Sequence, residues 1–207
     1  MAFVKVAARD TQQDTANPRA LEYDALELQL HDESADVRRW AARDLVDCPS
    51  ASRMLVGRLH EEGDASVREV ILTALTIRGD DIAMTGLVEC LRSEHVSLRN
   101  EAVEAMKQLP EKMAPIIREL LGDPDPDVRI FAVNILESLR HPEVESWLIS
   151  VIETDPELNV CATAVDLLGE VGSPAARLPL HRIKERYADV PYIQFAAEVA
   201  LSRLGGE

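Results

Sequence analysis

The sequence predicts an all-α chain, an α-solenoid of about six stacked helix pairs. Three observations predict it. A short apolar motif recurs along the whole chain, the composition favours helix, and turn residues fall at regular places between the motif copies. Of the 207 residues, 46% are hydrophobic but only 4% aromatic, so Leu, Val, Ile and Ala must do the packing. With Glu, Arg and Asp making up much of the rest, that mixture is helix-forming. Nine glycines are few for an all-β fold of this size.

The motif is an aliphatic residue, often followed by Arg, then a residue (usually small) four places on and an aliphatic eight places on. It reads Val37-Arg38 with Ala41 and Leu45, then Val67-Arg68 with Ile71 and Leu75. It returns as Leu98-Arg99 with Ala102 and Met106, and as Val128-Arg129 with Ala132 and Leu136. Two degenerate copies follow, Val160-Cys161 with Ala164 and Leu168, and Ile193-Gln194 with Ala197 and Leu201. Successive copies lie 30, 31, 30, 32 and 33 residues apart. Apolar residues at places 0, 4, 5 and 8 form one face of a 3.6-residue period, so each copy reads as a helix. A small residue at place 4 lets a neighbouring helix come close.

A second apolar helix lies between copies. Leu21, Ala25, Leu26 and Leu30 supply the first; Met54, Leu55 and Leu59 the next; Ile82, Leu87, Val88 and Leu91 the third. Met113, Ile116, Ile117 and Leu120, then Val144, Trp147, Leu148 and Val151, then Leu178 and Ile183, complete the set. Pro49, Pro142 and Pro174 fall where one unit gives way to the next, where proline suits a first helical turn. Asp36 and Asp127 immediately precede a Val-Arg step and are expected to cap the helix there. A helix pair of this kind cannot bury both its faces alone, so the pairs must stack. The solenoid is expected to span 19–207, with 1–18 a flexible extension.

Val128-Arg129 behind Asp123-Pro124-Asp125-Pro126-Asp127, together with Leu167-Leu168-Gly169-Glu170-Val171-Gly172-Ser173-Pro174, resembles HEAT repeats of the phycobilisome-lyase type. The resemblance covers about residues 19–204. It implies a right-handed superhelix and a role among adaptors, lyase subunits and hydroxylases. Because the last two copies lack the Arg, an Asp–Arg ladder between repeats is expected to fade toward that end. In the similar deoxyhypusine hydroxylases, His-Glu dyads at the start of the second helices hold two irons. The matching pairs here are Arg39-Trp40, Glu69-Val70, Asn100-Glu101 and Ile130-Phe131, so the resemblance implies no such centre and no cofactor.

The net charge of −15 opposes nucleic acid and anionic membrane as partners. Arg38, Arg39, Arg43, Arg53 and Arg58 are basic neighbours of Trp40, but Glu69, Glu101, Glu104, Glu137 and Asp166 line the same face further on. Three widely spaced cysteines, Cys48, Cys90 and Cys161, make neither a disulfide framework nor a zinc signature. The cysteines read most simply as small buried hydrophobes; alternatively Cys161, standing where other copies have Arg, is exposed and open to reaction. No stretch approaches the roughly 20 apolar residues of a membrane span, and 1–10 does not read as a signal peptide, so a cytoplasmic location is expected.

The binding face should be the inner, concave one, built from the outward side of the second helices. Trp40, Val70, Ile130, Phe131 and Phe195 are its candidate apolar anchors, and Arg39, Arg43, Glu101 and Glu104 set its polarity. Alternatively, Trp40 and Phe131 fill gaps between repeats. The acids between helices, such as Asp32, Glu62, Asp123 and Asp155, form a negative edge that either offsets helix dipoles or docks a basic partner surface. The leading functional expectation is a non-enzymatic adaptor binding a protein partner. An accessory subunit of a lyase-like or cofactor-maturation enzyme is a second, and a metal-handling protein using His31 and His60 a third.

Overall fold

The computed structural model describes residues 18–205. It is helical throughout, with no strand among the described residues. Six pairs follow one another. They are α1 (Pro18–Gln29) with α2 (Ala35–Asp44), α3 (Ala51–Glu61) with α4 (Ala65–Arg78), and α5 (Asp81–Cys90) with α6 (Val96–Lys107). Then α7 (Pro110–Met113) and α8 (Ile117–Leu121) together face α9 (Pro126–Leu136). The last two are α10 (Val144–Thr154) with α11 (Leu158–Val171) and α12 (Arg177–Arg186) with α13 (Pro191–Arg203). Of the expected extension, Pro18 opens α1, and the rest lies outside the described residues.

The motif residues make the core. Ala41, Ala102, Ala132, Ala164 and Ala197 are fully buried, which is what the small side chain at place 4 is for. Leu45, Leu75, Met106, Leu136 and Leu168 at place 8 are buried too. Each such side chain contributes about 2 kcal/mol by leaving water. Leu201, the same place on α13, is only partly covered.

Helix starts are set by loop acids, two places earlier than expected. Asp125, not Asp127, caps α9, accepting from the Asp127 N–H at 2.9 Å, and Pro126 fills the first turn. Ser34, not Asp36, occupies the cap of α2. Asp36 and Asp127 instead lie inside the first turn, where their charge favours the helix dipole. Asp64 caps α4 by accepting from Ser66 and Val67. That helix ends on Gly79 at φ 51°, a left-handed conformation glycine adopts without the Cβ penalty.

One expected helix is broken. The stretch around Met113 to Leu120 divides into α7 and α8 at Pro115, which has no N–H to donate to the helix ladder. The second helices pack closely in an unbroken row, α2 on α4, α6, α9, α11 and α13 in turn. Close packing within the row of first helices is confined to α3 on α5 and α10 on α12. The row of second helices is the more continuously packed, and it carries the candidate binding residues.

Candidate partner-binding face

The second helices bury places 0, 4 and 8 and turn places 2, 3, 6 and 10 outward. Between α4 and α6 this leaves a groove of about 520 Å³. Leu72 and Ala105 form its floor, and Glu69, Thr73, Thr76, Asn100, Glu101, Glu104 and Gln108 its walls.

The expected site residues separate into three groups. Arg39, Trp40 and Arg43 share one exposed patch of α2. Trp40 is 52% exposed, so it is not gap-filling core. The Arg43 guanidinium lies 4.1 Å from its ring centroid and also pairs with Asp44 at 2.8 Å, while Arg39 pairs with Asp36 at 2.6 Å. Glu101 and Glu104 stand in the groove. Glu104 is open, with Lys107 at 3.1 Å; Glu101 is claimed by Arg68. Phe195, 67% exposed, lies at the far end on α13. Val70, Ile130 and Phe131 do not stand free as anchors. Val70 and Phe131 at place 3, bordering the apolar stripe, and Ile130 at place 2 are partly buried against the core. Lys107 is a member of this surface that the sequence does not reveal. It ties Glu104 to Glu137 of α9, 2.8 Å away, a bridge that spacing alone does not show.

Behind the face, one device repeats. At the turn before each of the first five second helices, a side chain five places ahead of the motif accepts the N–H two residues later. Asp32, Glu62, Ser93, Asp123 and Asp155 all do so. The motif Arg then closes the turn with Nη1. Arg38 donates to the Asp32 and Glu33 carbonyls, Arg68 to those of Glu62 and Gly63, and Arg129 to those of Asp123 and Pro124. Its Nε and Nη2 grip a carboxylate of the next repeat: Arg38 on Glu62, Arg68 on Glu101, Arg129 on Asp155, all at 2.7–3.0 Å.

Arg99 departs from this. Its Nη1 reaches the Ser93 carbonyl at 2.6 Å, but Nε is buried with no partner. Asp123, the acid equivalent to Glu62 and Asp155, is taken by Arg92. Phe131 holds the place equivalent to Glu101, its ring centroid 6.0 Å from the Arg99 guanidinium.

The Asp–Arg ladder between repeats fades, as expected, where Arg is lost: its last rung is Arg129 on Asp155, and beyond it other donors only close the turns. In the fifth copy, Arg186 from α12 donates to the Asp155 carbonyl at 2.6 Å, doing the work from the next repeat. In the sixth, the Gln194 amide donates to the Lys184 and Tyr187 carbonyls. Part of the acidic edge is taken up within the fold, while Asp32, Glu33, Asp36, Glu61, Asp127 and Glu157 remain exposed. The side chains of Glu62 and Asp155 are 1% and 6% exposed within ion pairs, and Asp64 and Asp125 are spent on caps. At Glu62, burial alone would raise the carboxyl. Hydrogen bonds from Arg38, the Asp64 N–H and Arg58 outweigh that and lower it to about 2.

Cys161 is buried rather than exposed, because Arg186 and the Asp155 turn close over its place. Burial raises its thiol and pushes that of Cys90 up to about 12, so neither is activated. His31 and His60 do not form a joint site. His60 faces Glu89 at 3.7 Å, and among the described residues no three His, Cys, Asp or Glu side chains are placed to hold a metal. No described helix is long and apolar enough to cross a membrane.

Stacked helix pairs, three of them locked to the next by a motif arginine, define an α-solenoid repeat protein. A family model described as HEAT repeats matches residues 23–107 and 113–202. The chain belongs to the HEAT-repeat family. It is 29% identical over 149 residues to a HEAT repeat-containing taxis protein of Halobacterium salinarum, covering 68% of this chain. The chain spans about a third, 36%, of that relative's length. Among solved structures, the phycocyanin lyase complex from Nostoc is similar at 18% identity and a TM-score of 0.37, with 99% of this chain and 100% of that chain covered. Human deoxyhypusine hydroxylase is similar at 19% identity and a TM-score of 0.46, with 89% and 85% covered.

Proposed function

We propose that this chain is a non-enzymatic HEAT-repeat scaffold that holds a protein partner along its inner face. The observation that carries this reading is Trp40. A tryptophan left half exposed on the row of second helices, with an arginine stacked on its ring, is the type of side chain that dominates binding energy at interfaces. Folding has not used it. Three unpaired cysteines fit a reducing cytoplasm. The carboxylates beyond α2 make the face a poor one for nucleic acid. Similarity to a taxis protein directs the search for the partner first to taxis components.

The test is capture from native cell extract by wild-type protein beside Trp40→Ala. The variant is expected to melt like wild type, since the ring packs on the surface, and to lose the captured partner. Equal capture by both proteins sinks the reading.

A further inference from the structure

The inner face is polar in a directional way, and this narrows the kind of partner that a scaffold of this kind can hold. Resting on the scaffold reading, we propose that the partner contributes an extended basic segment, with a lysine or arginine of that segment seated between α4 and α6. The groove there is built for such a side chain. Leu72 and Ala105 on its floor are buried and apolar, suited to the methylene stem, while carboxylates stand at its rim to meet the charged head.

The charges facing the groove can be taken one by one. Glu69 is exposed and has no basic group within salt-bridge distance among the described residues. Glu104 is 69% exposed and shares Lys107 with Glu137, so one ammonium serves two carboxylates. Glu101 is balanced by Arg68. The walls therefore carry one more negative charge than positive, two with Glu137. Thr73, Asn100 and Gln108 add hydrogen-bonding groups that suit a peptide backbone.

Direction comes from α2. There the exposed Trp40 ring is flanked by Arg39 and Arg43, whose carboxylate partners Asp36 and Asp44 are already taken, so the segment meets α2 with an apolar residue on Trp40 and turns basic only beyond it. Neighbouring helices lie about 10 Å apart. From α2 to the α4–α6 groove is then about 15 Å, or about four residues of extended chain. The recognised pattern is an apolar residue followed about four places later by Lys or Arg.

The test uses a fluorescent peptide of alternating lysine and serine, read by anisotropy at physiological salt, against the full chain. Glu69→Lys with Glu104→Lys should weaken binding about tenfold. Glu111→Lys with Glu119→Lys, exposed on α7 and α8, changes net charge equally and should weaken it less than about twofold. Equal weakening by the two pairs overturns the proposal, since bulk charge would then explain binding. So does no binding to wild type, or tighter binding of a peptide of alternating glutamate and serine. The same variants in the extract capture separate this inference from the function it rests on. A partner lost with Trp40→Ala but retained with the groove pair overturns the basic segment alone. One retained with both overturns the scaffold reading as well.

Discussion

At Glu62 five hydrogen bonds converge on one buried carboxylate: two from Arg38, two from Arg58 and one from the Asp64 N–H. Its folded value of about 2 lies below the ordinary 4.5. The stabilisation is thus fully present above about pH 4.5 and is lost as pH falls through about 2. It amounts to about 3 kcal/mol at neutral pH. Glu62→Gln should therefore lower stability at pH 7 by an amount of that order. The gap to wild type should close as the pH approaches 2, measured by chemical denaturation across that range. A gap that stays constant with pH would mean that the carboxylate's charge is not what holds the turn. The same scale explains how Cys161 stays buried, as a small hydrophobe should, at a place other copies give to arginine: a guanidinium from the following repeat covers it.

The clamp is filled on α2, α4 and α9 and unfilled on α6, while α11 and α13 lack its arginine. Breaking a buried ion pair from one side costs about 3–5 kcal/mol, because the remaining charge is stranded. Arg129→Met should cost about 3 kcal/mol in urea unfolding, and Arg38→Met less, because Arg58 still pairs with Glu62. Arg99→Met, which strands no carboxylate, should cost less than about 1 kcal/mol. If all three cost the same, the carboxylate grip is not the source of the clamp's energy. At this scale much is legible in the sequence. Periodicity locates all six motif helices, since places 0, 4 and 8 repeat the same burial. Caps are displaced by two residues because several acids precede each helix and only backbone geometry selects among them. The division at Pro115 is signalled by the proline itself, but the apolar spacing runs through it.

Over the whole array, stability is a sum of repeats and the contacts between neighbours. These are uneven. The fourth repeat has a divided first helix, and its junction with the third holds the unfilled Arg99. In contrast, α11 buries residues against α9, α10 and α13. Hydrogen exchange should be fastest in the amides of α7 and α8 and slowest in α11; uniform protection would show one cooperative block instead. The binding face is less legible than the fold. Trp40 and Phe195 can be named because a large apolar residue at an outward place stands out. The loss of Glu101 to Arg68 cannot, because Ser93 leaves Arg68 to find an acid elsewhere, and only three-dimensional placement shows which one it takes.

The broken helix has a mechanical meaning. Pulled from its ends, a stack of this kind extends as springs in series, and the softest spring yields first. Here that spring is the joint between α5–α6 and α7–α9, where the row of first helices is cut short by Pro115 and one clamp holds with half its reach. Bending concentrated there changes the distance from Trp40 on α2 to Phe195 on α13 while leaving the α4–α6 groove intact. A ligand that spans both ends strains this joint; one confined to the first three repeats does not.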